Sequence, residues 1–438
     1  MRNAATKVVR TLVEAGHEAV FAGGCVRDML RGVPPKDYDV ATSARPAQVQ
    51  ALFPHSIAVG AHFGVIIVRS GPHQIEVATF RRDGAYSDGR RPDSVEFTSA
   101  AEDAKRRDFT VNGLFYNPMT EEVLDYVNGR ADLECGVLRA IGEARLRFRE
   151  DHLRLLRAVR FATVLGFEIE VETWAAMQEL APEVATVSAE RIREELVKIF
   201  LHPSRVRGFD LLVDSGLMKA VLPEILVLQG CEQPPQWHPE GDVFKHTRIM
   251  LGLLPKEVSL PLVLSVLFHD IAKPATFAVD ETGRIRFNGH DKLGAEMTEE
   301  ILRRLKFPND VITPTVEAVA NHMMFKDVQK MRVSKLKRLM AKPTYEDEME
   351  LHRVDCMSSH GLSGNYEFLR AKEAEFVAEQ KPLLPKPLLT GHEIMAMGIP
   401  AGPKMGEILR TVQDLQLEGT LNTPEEAADW VRANALPL

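Results

Sequence analysis

The spacing of hydrophobic residues changes along the chain and divides it into a mixed part and a helical part. In roughly the first 140 residues, short β-branched runs alternate with turn clusters, a pattern typical of strands joined by loops and short helices. The predicted strands are 19–22, 38–42, 64–70, 74–80 and 123–127, and 46–53 is a predicted amphipathic helix. From Gly142 onward apolar residues recur every three or four positions, which indicates helices. The pattern predicts an α+β head followed by an all-α remainder.

Proline clusters predict domain boundaries within the helical remainder. Pro203, the Pro234–Pro235 doublet and Pro239 precede a histidine-bearing stretch, and three prolines in 382–387 precede a short tail. The expected domains are a head at 1–142, a helical neck at 143–238, a histidine-bearing domain at 239–360 and a helical tail at 361–438.

Composition limits the kinds of partner and compartment. The formal net charge of −8 argues against a protein coated in basic surface, so a nucleic acid would have to meet a local patch, for which the arginine-dense segment 139–160 is the candidate. Four scattered cysteines without a C-x-x-C pair indicate free thiols in a reducing cytoplasm. The N-terminus lacks a signal-like apolar segment, and the apolar run 260–268 is too short to span a bilayer. No membrane association is expected, and the oligomeric state stays open.

The first candidate site begins with a glycine doublet and a pair of carboxylates. Asp37 and Asp39 lie two residues apart, and side chains at that spacing on a strand share a face. Two carboxylates aimed at one point suit Mg²⁺ ions that bridge triphosphate oxygens. Upstream, Gly23–Gly24 predicts a turn where backbone N–H groups approach a phosphate, and Arg27 follows one helical turn later. Together these features favour nucleotidyl transfer, and the alternative is a tight turn followed by a surface Asp pair.

Two further residues are candidates for the same site. Glu76 lies on the predicted strand 74–80, on the face of Ala78, where it would serve as a metal ligand, as a base for the attacking hydroxyl, or simply as an edge-strand glutamate. Arg107 belongs to a basic triplet before an apolar run, and its guanidinium is suited to clamp triphosphate oxygens unless the triplet is only a solvated face.

The neck carries a candidate base-recognition motif. Asp151, Arg154, Arg157 and Arg160 recur at every third residue, which predicts a stripe that drifts around one helix. Cytosine and adenine both present an amino group beside a ring nitrogen, so an Asp that accepts and an Arg that donates would select C and A over U and G. A good bidentate pair discriminates by ~1–3 kcal/mol. The alternative is an i,i+3 surface ion pair worth a few tenths of a kcal/mol.

Taken in order, the motifs of the head and neck resemble the class II tRNA nucleotidyltransferase and poly(A) polymerase family, which includes CCA-adding enzymes. The motifs are Gly23–Asp28, the Asp37/Asp39 pair, Arg106–Thr110, the Asp125, Gly129 and Asp132 series, Glu150–Arg154 and Glu190–Glu195. The resemblance implies a polymerase-β-like nucleotidyltransferase head, an RNA-binding neck and a tRNA-binding tail.

The resemblance also implies a role for each site residue. Asp37 and Asp39 would hold Mg²⁺; Gly24, Arg27 and Arg107 would contact the nucleotide; Asp151 and Arg154 would read the base, with Arg157 and Arg160 in support; and Glu190 and Arg191 would buttress the neck helix. The substrates implied are CTP, ATP and the tRNA 3′ end.

The second half of the chain contains a second candidate site, formed by histidines and aspartates. The residues are His246, His269, Asp270, His290, His322 and Asp355. Imidazole and carboxylate groups suit transition metals. The series resembles the HD phosphohydrolase domain of some CCA-adding enzymes, which implies a divalent transition metal on His246, His269, Asp270 and Asp355, with His290 and His322 near substrate. A phosphatase or phosphodiesterase activity on phosphate ends would follow.

The sequence thus predicts a template-independent enzyme that builds or repairs the 3′-CCA of tRNA. An A-adding enzyme or a poly(A) polymerase shares the same motifs. The polar loop 81–92 argues against an enzyme restricted to CC addition, because family members of that kind tend to have a shortened loop. A more distant alternative is an HD-domain phosphohydrolase whose head only binds RNA.

Overall fold

The structure, a computed structural model, describes residues 1–60, 64–84, 94–359 and 361–435. The chain forms two compact units, Met1–Leu226 and Val227–Leu438. Within the described ranges, no helix combines the length and the apolar composition needed to cross a membrane. Most of the predicted loop 81–92 lies outside the described residues. Its first three residues, Arg81–Asp83, form a short strand that pairs with Val95–Phe97.

The head of the first unit is a mixed sheet with helices on its faces. Its elements in chain order are α1 (Arg2–Glu14), β1 (Ala19–Ala22), α2 (Gly24–Leu30), β2 (Asp39–Thr42), α3 (Pro46–Leu52), β3 (Ile57–Gly60), β4 (Val65–Ser70), β5 (His73–Thr79), β6 (Arg81–Asp83), β7 (Val95–Phe97), α4 (Ala100–Lys105), a 3₁₀ turn (Thr110–Asn112), β8 (Leu114–Asn117), β9 (Glu122–Asp125), α5 (Gly129–Cys135) and β10 (Val137–Leu138).

Seven of these strands form one sheet in the order β3-β4-β5-β2-β1-β8-β9. All neighbours are antiparallel except β2 and β5, which are parallel. The five predicted strands are present with ends shifted by one or two residues. The pattern missed β3, whose register against β4 shifts between Ile57 and Gly60, and the four-residue β8. Both are too short or irregular to show a clear alternation.

Both faces of the sheet are covered, which fixes the strand ends that carry the site. One face packs against α1, α2 and α3 through a core that includes Val8, Phe21 and Tyr38. The other face packs against α4 through Phe80 and Phe115. Because β2 is packed on both faces, through Val40 and Ala41, its first residue, Asp39, has a defined position at the end of this central strand.

The helices after the head belong to the same unit. They are α6 (Ala144–Glu150), α7 (Leu153–Leu165), α8 (Val171–Leu180), α9 (Ala189–Phe200), α10 (Arg205–Asp214), α11 (Leu217–Val221) and α12 (Pro223–Leu226), with β11 (Glu168–Ile169) between α7 and α8. β11 pairs in parallel with β10, so one small sheet interrupts the predicted all-α stretch and ties it to the head.

Over residues 227–359 and 361–435, the second unit is helical apart from one hairpin. Its elements are α13 (Val243–Leu253), α14 (Leu260–Phe268), β12 (Ala278–Val279), β13 (Ile285–Arg286), α15 (His290–Arg304), α16 (Asn309–Asn321), a 3₁₀ segment (His322–Lys330), α17 (Val333–Met340), α18 (Tyr345–Ser358), α19 (Gly364–Ala378), α20 (Gly391–Ala396), α21 (Pro403–Leu417) and α22 (Pro424–Asn434). Seven consecutive residues of α14, Leu262–Phe268, are buried, so this helix is central to the packing around the histidine cluster. The last three helices enclose a core of their own.

Gly129 allows the 3₁₀ turn at Thr110 to lie directly against its backbone, and a larger residue at this position should destabilise the head. A Cβ at Gly129 would lie 2.2 Å from the carbonyl oxygen of Thr110, so Gly129→Ala forces the 3₁₀ turn to move. We expect a loss of ~1–3 kcal/mol, typical of overpacking, measured by thermal unfolding. Gly406→Ala in α21 is the control, because a Cβ there meets open space and alanine favours a helix by up to ~1 kcal/mol. An unchanged melting temperature for Gly129→Ala would contradict the steric argument.

Candidate functional site

The turn between β1 and α2 requires glycine because an arginine lies against its backbone. Gly23 has a φ of +73°, which L side chains rarely adopt, and a Cβ there would lie 2.9 Å from Nη1 of Arg107. Gly24 follows as the first residue of α2. Both glycines line a cleft of about 480 Å³, together with Arg27 and Arg107.

Asp37 and Asp39 line the same cleft. Asp39 opens β2, whereas Asp37 precedes it, so the prediction that both lie on the strand is wrong for Asp37. Tyr38, between them, is buried in the core of the head. Alternate side chains therefore still point to opposite sides, and both carboxylates reach the cleft.

Glu76 completes a cluster of three carboxylates. β5 runs parallel to β2 with Val77 beside Val40, so Glu76 lies alongside Asp39. Glu76 and Asp39 line a second cavity of about 260 Å³. Burial is the largest cause that raises the pKa of Asp39 from 3.8 to about 7, and the negative charges of Glu76 and Asp37 add to it. Burial and the charge of Asp37 also raise the pKa of Glu76. A set of crowded oxygen donors of this kind fits a hard divalent cation, which would remove the repulsion.

A buried carboxylate anchors the basic residues on the other side of the cleft. Asp103 on α4 accepts hydrogen bonds from Nε of Arg106 (2.8 Å) and Nη2 of Arg107 (3.1 Å). Burial alone would raise the pKa of Asp103, but the two guanidinium groups hold it below its ordinary value. Arg107 also lies over the ring of Phe115, 5.0 Å from its centroid. The guanidinium groups are thus fixed in the cleft before any ligand binds.

A continuous hydrogen-bonded chain connects α2 to α7. Nη1 of Arg27 donates to Oδ1 of Asn112 (2.7 Å), Nδ2 of Asn112 donates to Oδ1 of Asp108 (3.1 Å), and Asp108 accepts from Arg157. Burial opposes ionisation of Asp108, but Arg157 and Asn112 lower its pKa to about 2. Sequence reasoning did not identify Asn112 as a site residue, because only the fold brings it within reach of Arg27.

The predicted helical stripe of the neck is only partly correct. Arg154, Arg157 and Arg160 lie on α7, but Asp151 ends α6 in an extended conformation (φ −148°, ψ 104°). Asp151 pairs with Arg191, whose Nη1 and Nη2 donate at 3.1 and 2.7 Å. The alternative of an i,i+3 ion pair between Asp151 and Arg154 is therefore not what the structure shows.

Arg154 is held by other groups. It is 8% exposed, and it donates to the carboxylate of Glu150 and to the carbonyl oxygens of Arg147 (2.8 Å) and Arg106 (3.2 Å). Both Asp151 and Arg154 nevertheless line the cleft that contains Asp37 and Asp39. Asp37 and Asp39, the arginines of the glycine turn and α4, and the candidate base-reading pair therefore line one cavity.

An aromatic ring lies at the centre of the arginine cluster. The guanidinium carbons of Arg27, Arg157 and Arg160 lie 5.4, 5.3 and 3.9 Å from the ring centroid of Phe161. The face of an aromatic ring attracts cations, so Phe161 offsets part of the repulsion between these groups. Its position directly after Arg160 was a signal that sequence analysis did not use.

The expected buttress of the neck helix is formed by a different set of residues. Arg191 on α9 pairs with Asp151 at the end of α6, whereas Glu190 is an exposed residue in the first turn of α9. Glu195, one turn further along α9, accepts from Nε of Arg160 and joins α9 to α7.

In the second unit, the four predicted metal ligands converge on one point. Nε2 of His246 lies 3.1 Å from Oδ1 of Asp355 and 4.0 Å from Oδ2 of Asp270, and Nε2 of His269 lies 3.1 Å from the same Oδ2. Within the described residues, neither Nε2 atom has a partner in hydrogen-bonding geometry, although both are buried. Ligands of one metal ion lie roughly 3 to 4 Å apart. These orphaned nitrogen atoms and the two carboxylates fit a divalent metal.

His290 and His322 form a second part of the cluster. Nδ1 of each ring contacts a backbone carbonyl oxygen, at 2.7 Å for Phe287 and 2.6 Å for Val319, and this assigns the proton of each neutral ring to Nδ1. The two Nε2 atoms, each with its lone pair, then face each other at a distance of 3.1 Å. Oδ1 of Asp270 lies 3.5 Å from Nε2 of His290 and 3.8 Å from Nε2 of His322. Such an arrangement is stable with a cation or a shared proton between the rings.

Sequence analysis missed three residues that hold this cluster in place. Oε1 of Glu240 contacts Nδ1 of His246 (2.7 Å) and Nδ1 of His238 (2.9 Å), so its carboxylate orients the His246 ring. Nζ of Lys273 lies 2.7 Å from Oδ2 of Asp270. Burial would lower the pKa of His246, but its contacts with Asp355 and Glu240 outweigh burial and raise the pKa to about 9.

The cluster opens into a cavity of about 800 Å³ in the second unit. Asp270, His290, His322 and Asp355 line the cavity, and its other walls carry cationic and aromatic groups: Lys273, Arg286, Lys326, Trp237, Phe287 and His352. A phosphate ester with an aromatic group would suit such walls.

Three protein families match successive parts of the chain. Residues 19–139 match the poly A polymerase head domain, residues 166–228 match the probable RNA and SrmB-binding site of polymerase A, and residues 243–357 match the HD domain.

Two of the relatives cover nearly the whole chain. An A-adding tRNA nucleotidyltransferase of Deinococcus radiodurans is 34% identical over 94% of this chain and 95% of its own length. A CCA-adding enzyme of Lactobacillus johnsonii is 30% identical over 97% of this chain and 95% of its own. The crystal structure of Bacillus stearothermophilus CCA-adding enzyme in complex with CTP has a TM-score of 0.73 at 26% identity and covers 99% of this chain and 97% of that one.

The crowded carboxylates predict that the protein without metal is more stable when Asp39 carries no charge. The folded-state pKa of about 7 exceeds the ordinary 3.8, so ionising Asp39 costs folding free energy progressively from about pH 4 to 7 and fully above pH 7. We therefore expect Asp39→Asn to stabilise the metal-free protein by ~1–3 kcal/mol at pH 8 but not at pH 4.

Thermal unfolding with and without added Mg²⁺ checks this expectation. Mg²⁺ should raise the melting temperature of the wild type and of the exposed control Glu14→Gln, and it should have less effect on Asp39→Asn. An Asp39→Asn variant that is less stable than the wild type at pH 8 without metal would contradict the electrostatic argument.

Proposed function

Because the chain belongs to the family of tRNA nucleotidyltransferases and poly(A) polymerases, we propose that its head site adds or repairs the 3′-terminal CCA of tRNA, using CTP and ATP. The observation that carries this proposal is a single cleft that holds carboxylates, fixed guanidinium groups and the edge of a neck helix. These are the parts needed to bind a triphosphate and to recognise its base without a nucleic-acid template.

Each side of the cleft has a separate task in this reaction. Asp37 and Asp39 would hold Mg²⁺, which supplies electrostatic stabilisation of the transferring phosphoryl group. Arg27 and Arg107 would bind the triphosphate, and both are already oriented by hydrogen bonds to Asn112. The 3′-hydroxyl of the tRNA attacks the α-phosphorus, and pyrophosphate leaves. Glu76, beside Asp39, would act as a further ligand or as the base that accepts the hydroxyl proton.

Asp151 and Arg154 would read the base. A guanidinium has five N–H donors, and the contacts of Arg154 with Glu150, Arg147 and Arg106 engage three of them, so donors remain for a ring nitrogen. A carboxylate has about four lone-pair sites, so Asp151 can accept from an amino group while it stays paired with Arg191. Arg157 and Arg160 would support this pair.

Addition of a single A is the main alternative, because one full-length relative is an A-adding enzyme. A direct test uses tRNA transcripts that end before CCA, after one C, and after CC, each with labelled CTP and ATP. We expect completion of CCA on all three transcripts and then termination. Extension of only the CC-ended transcript would instead identify an A-adding enzyme, and a long ladder would identify a poly(A) polymerase.

Two variants control this assay. Asp39→Asn should abolish addition on all three transcripts, and the exposed Glu14→Gln should not change it. Substantial addition by Asp39→Asn would refute the metal-binding role of this residue. Absence of addition by the wild type would favour the remaining alternative, a phosphohydrolase whose head only binds RNA.

We also propose that the histidine cluster is a second, metal-dependent phosphohydrolase site. The buried Nε2 atoms of His246 and His269 support one divalent transition metal, which Asp270 and Asp355 would share. The facing rings of His290 and His322 support a second cation next to Oδ1 of Asp270. Bound metal would polarise a phosphate ester, and the cationic walls of the cavity would bind the ester.

Loss of the Asp270 carboxylate tests the second site. We expect Asp270→Asn to contain less bound Ni²⁺ or Mn²⁺ than the wild type in metal analysis. The variant should also lose hydrolysis of bis(p-nitrophenyl) phosphate, and it should retain nucleotide addition. Glu281→Gln, an exposed position in the same unit, is the matched control. Equal metal content in Asp270→Asn and the wild type would rule out the proposed ligand set.

The remaining assignments are proposals of the same kind. We assign the catalytic head to 1–142, the RNA-binding neck to 143–238, the HD domain to 239–360 and a tRNA-binding tail to 361–438. The free thiols of all four cysteines support the reducing cytoplasm as the site of action.

A further inference from the structure

Arg147 contacts both halves of the head cleft although it does not line it. It lies on α6, and its guanidinium donates to four acceptors. These are the carbonyl oxygens of Ile141 (Nε, 3.1 Å), Arg106 (Nη1, 3.2 Å) and Lys105 (Nη2, 2.8 Å) and the carboxylate of Glu150 (Nη1, 2.8 Å). Its side chain is only 15% exposed. A guanidinium with this many fixed acceptors is held rigidly.

Two of the acceptors lie at the end of α4. Lys105 is the last residue of α4 and Arg106 is its C-cap, and the last carbonyl groups of a helix have no partner within the helix. Arg147 supplies those partners from α6. The backbone that it fixes leads directly into Arg107, whose guanidinium lies against Gly23 in the cleft.

The other contacts of Arg147 lead to the base-reading side. The Glu150 oxygen that accepts from Arg147 also accepts from Arg154, and the Arg106 carbonyl oxygen that accepts from Arg147 also accepts from Nη2 of Arg154. Arg147 and Arg154 thus share two acceptors, one on the head and one on the neck.

We propose that Arg147 is a positioning residue for nucleotide selection: it fixes the distance between the triphosphate-binding arginines and the base-reading Arg154. The inference rests on the proposed function of the head cleft. A nucleotide bound by its triphosphate presents its base edge at a distance set by its own covalent length. Arg154 discriminates between bases only if its donors lie at that distance. Arg147 joins the two regions through the same acceptors that Arg154 uses.

The test compares kcat/KM for correct and incorrect nucleotides. The assays use a transcript that lacks CCA with CTP or UTP, and a CC-ended transcript with ATP or GTP. Arg147→Gln should raise the UTP/CTP and GTP/ATP ratios by about tenfold, the lower end of what one bidentate base contact provides. Arg154→Ala should shift the ratios in the same direction, and the double variant should add little to either single change because both act on one contact.

Arg145→Gln is the matched control on the same helix. Arg145 pairs with Glu179, and its side chain is 46% exposed, so its loss should leave the ratios unchanged. Arg147→Lys serves as the second variant if Arg147→Gln does not fold. It keeps the charge, but an ammonium group cannot reach four acceptors spread around a planar fork, so we expect the ratios to shift with it as well.

Two results would overturn the proposal. One is an equal fall in kcat/KM for all four nucleotides, accompanied by a lower melting temperature, which would make Arg147 purely structural. The other is unchanged ratios in both Arg147 variants. If the wild type adds no nucleotide, the proposed function of the cleft is wrong. That result differs from both results that would overturn the role of Arg147.

Discussion

Buried carboxylates that fix arginine side chains are the interaction on which the head cleft depends. Asp103 holds Arg106 and Arg107, and Asp108 holds Arg157 and, through Asn112, Arg27. A buried ion pair adds little net stability, because desolvation offsets most of the attraction, but removal of one partner is costly. The benefit of these pairs is geometric. Each guanidinium has lost its rotational freedom before a nucleotide arrives, so binding does not have to supply that ordering.

The carboxylates proposed to hold metal in the head lie close to one another. Asp39 lies beside Glu76 and near Asp37, and burial with like charges raises its pKa to about 7. In the second unit, the ligand atoms of His246, His269 and Asp270 crowd together without hydrogen bonds that would satisfy both Nε2 atoms. A divalent cation would relieve the like charges of the head cluster and would supply the partner that the two buried nitrogen atoms lack among the described residues, which supports the proposed metal sites.

The proposed base-reading residues are held by contacts made far apart in sequence. Asp151 is held by Arg191, 40 residues away, and Arg154 shares acceptors with Arg147 at the junction of head and neck. Phe161 lies among three guanidinium groups and allows them to come close to each other. The geometry of the proposed base-reading pair is accordingly a property of the whole junction of head and neck.

The sequence by itself determined the fold class, the positions of five strands of the head and most of the residues that meet in the two sites. Those signals are local, because strand alternation, a glycine turn, the Asp37/Asp39 spacing and the ordered His and Asp motifs all lie within short segments. Only the tertiary structure decided the partners. It places Asp151 outside α7 and pairs it with Arg191, brings Asn112 to Arg27, and orients His246 through Glu240. Pairing depends on how separate elements pack, and no spacing along the chain encodes which carboxylate will lie under which guanidinium.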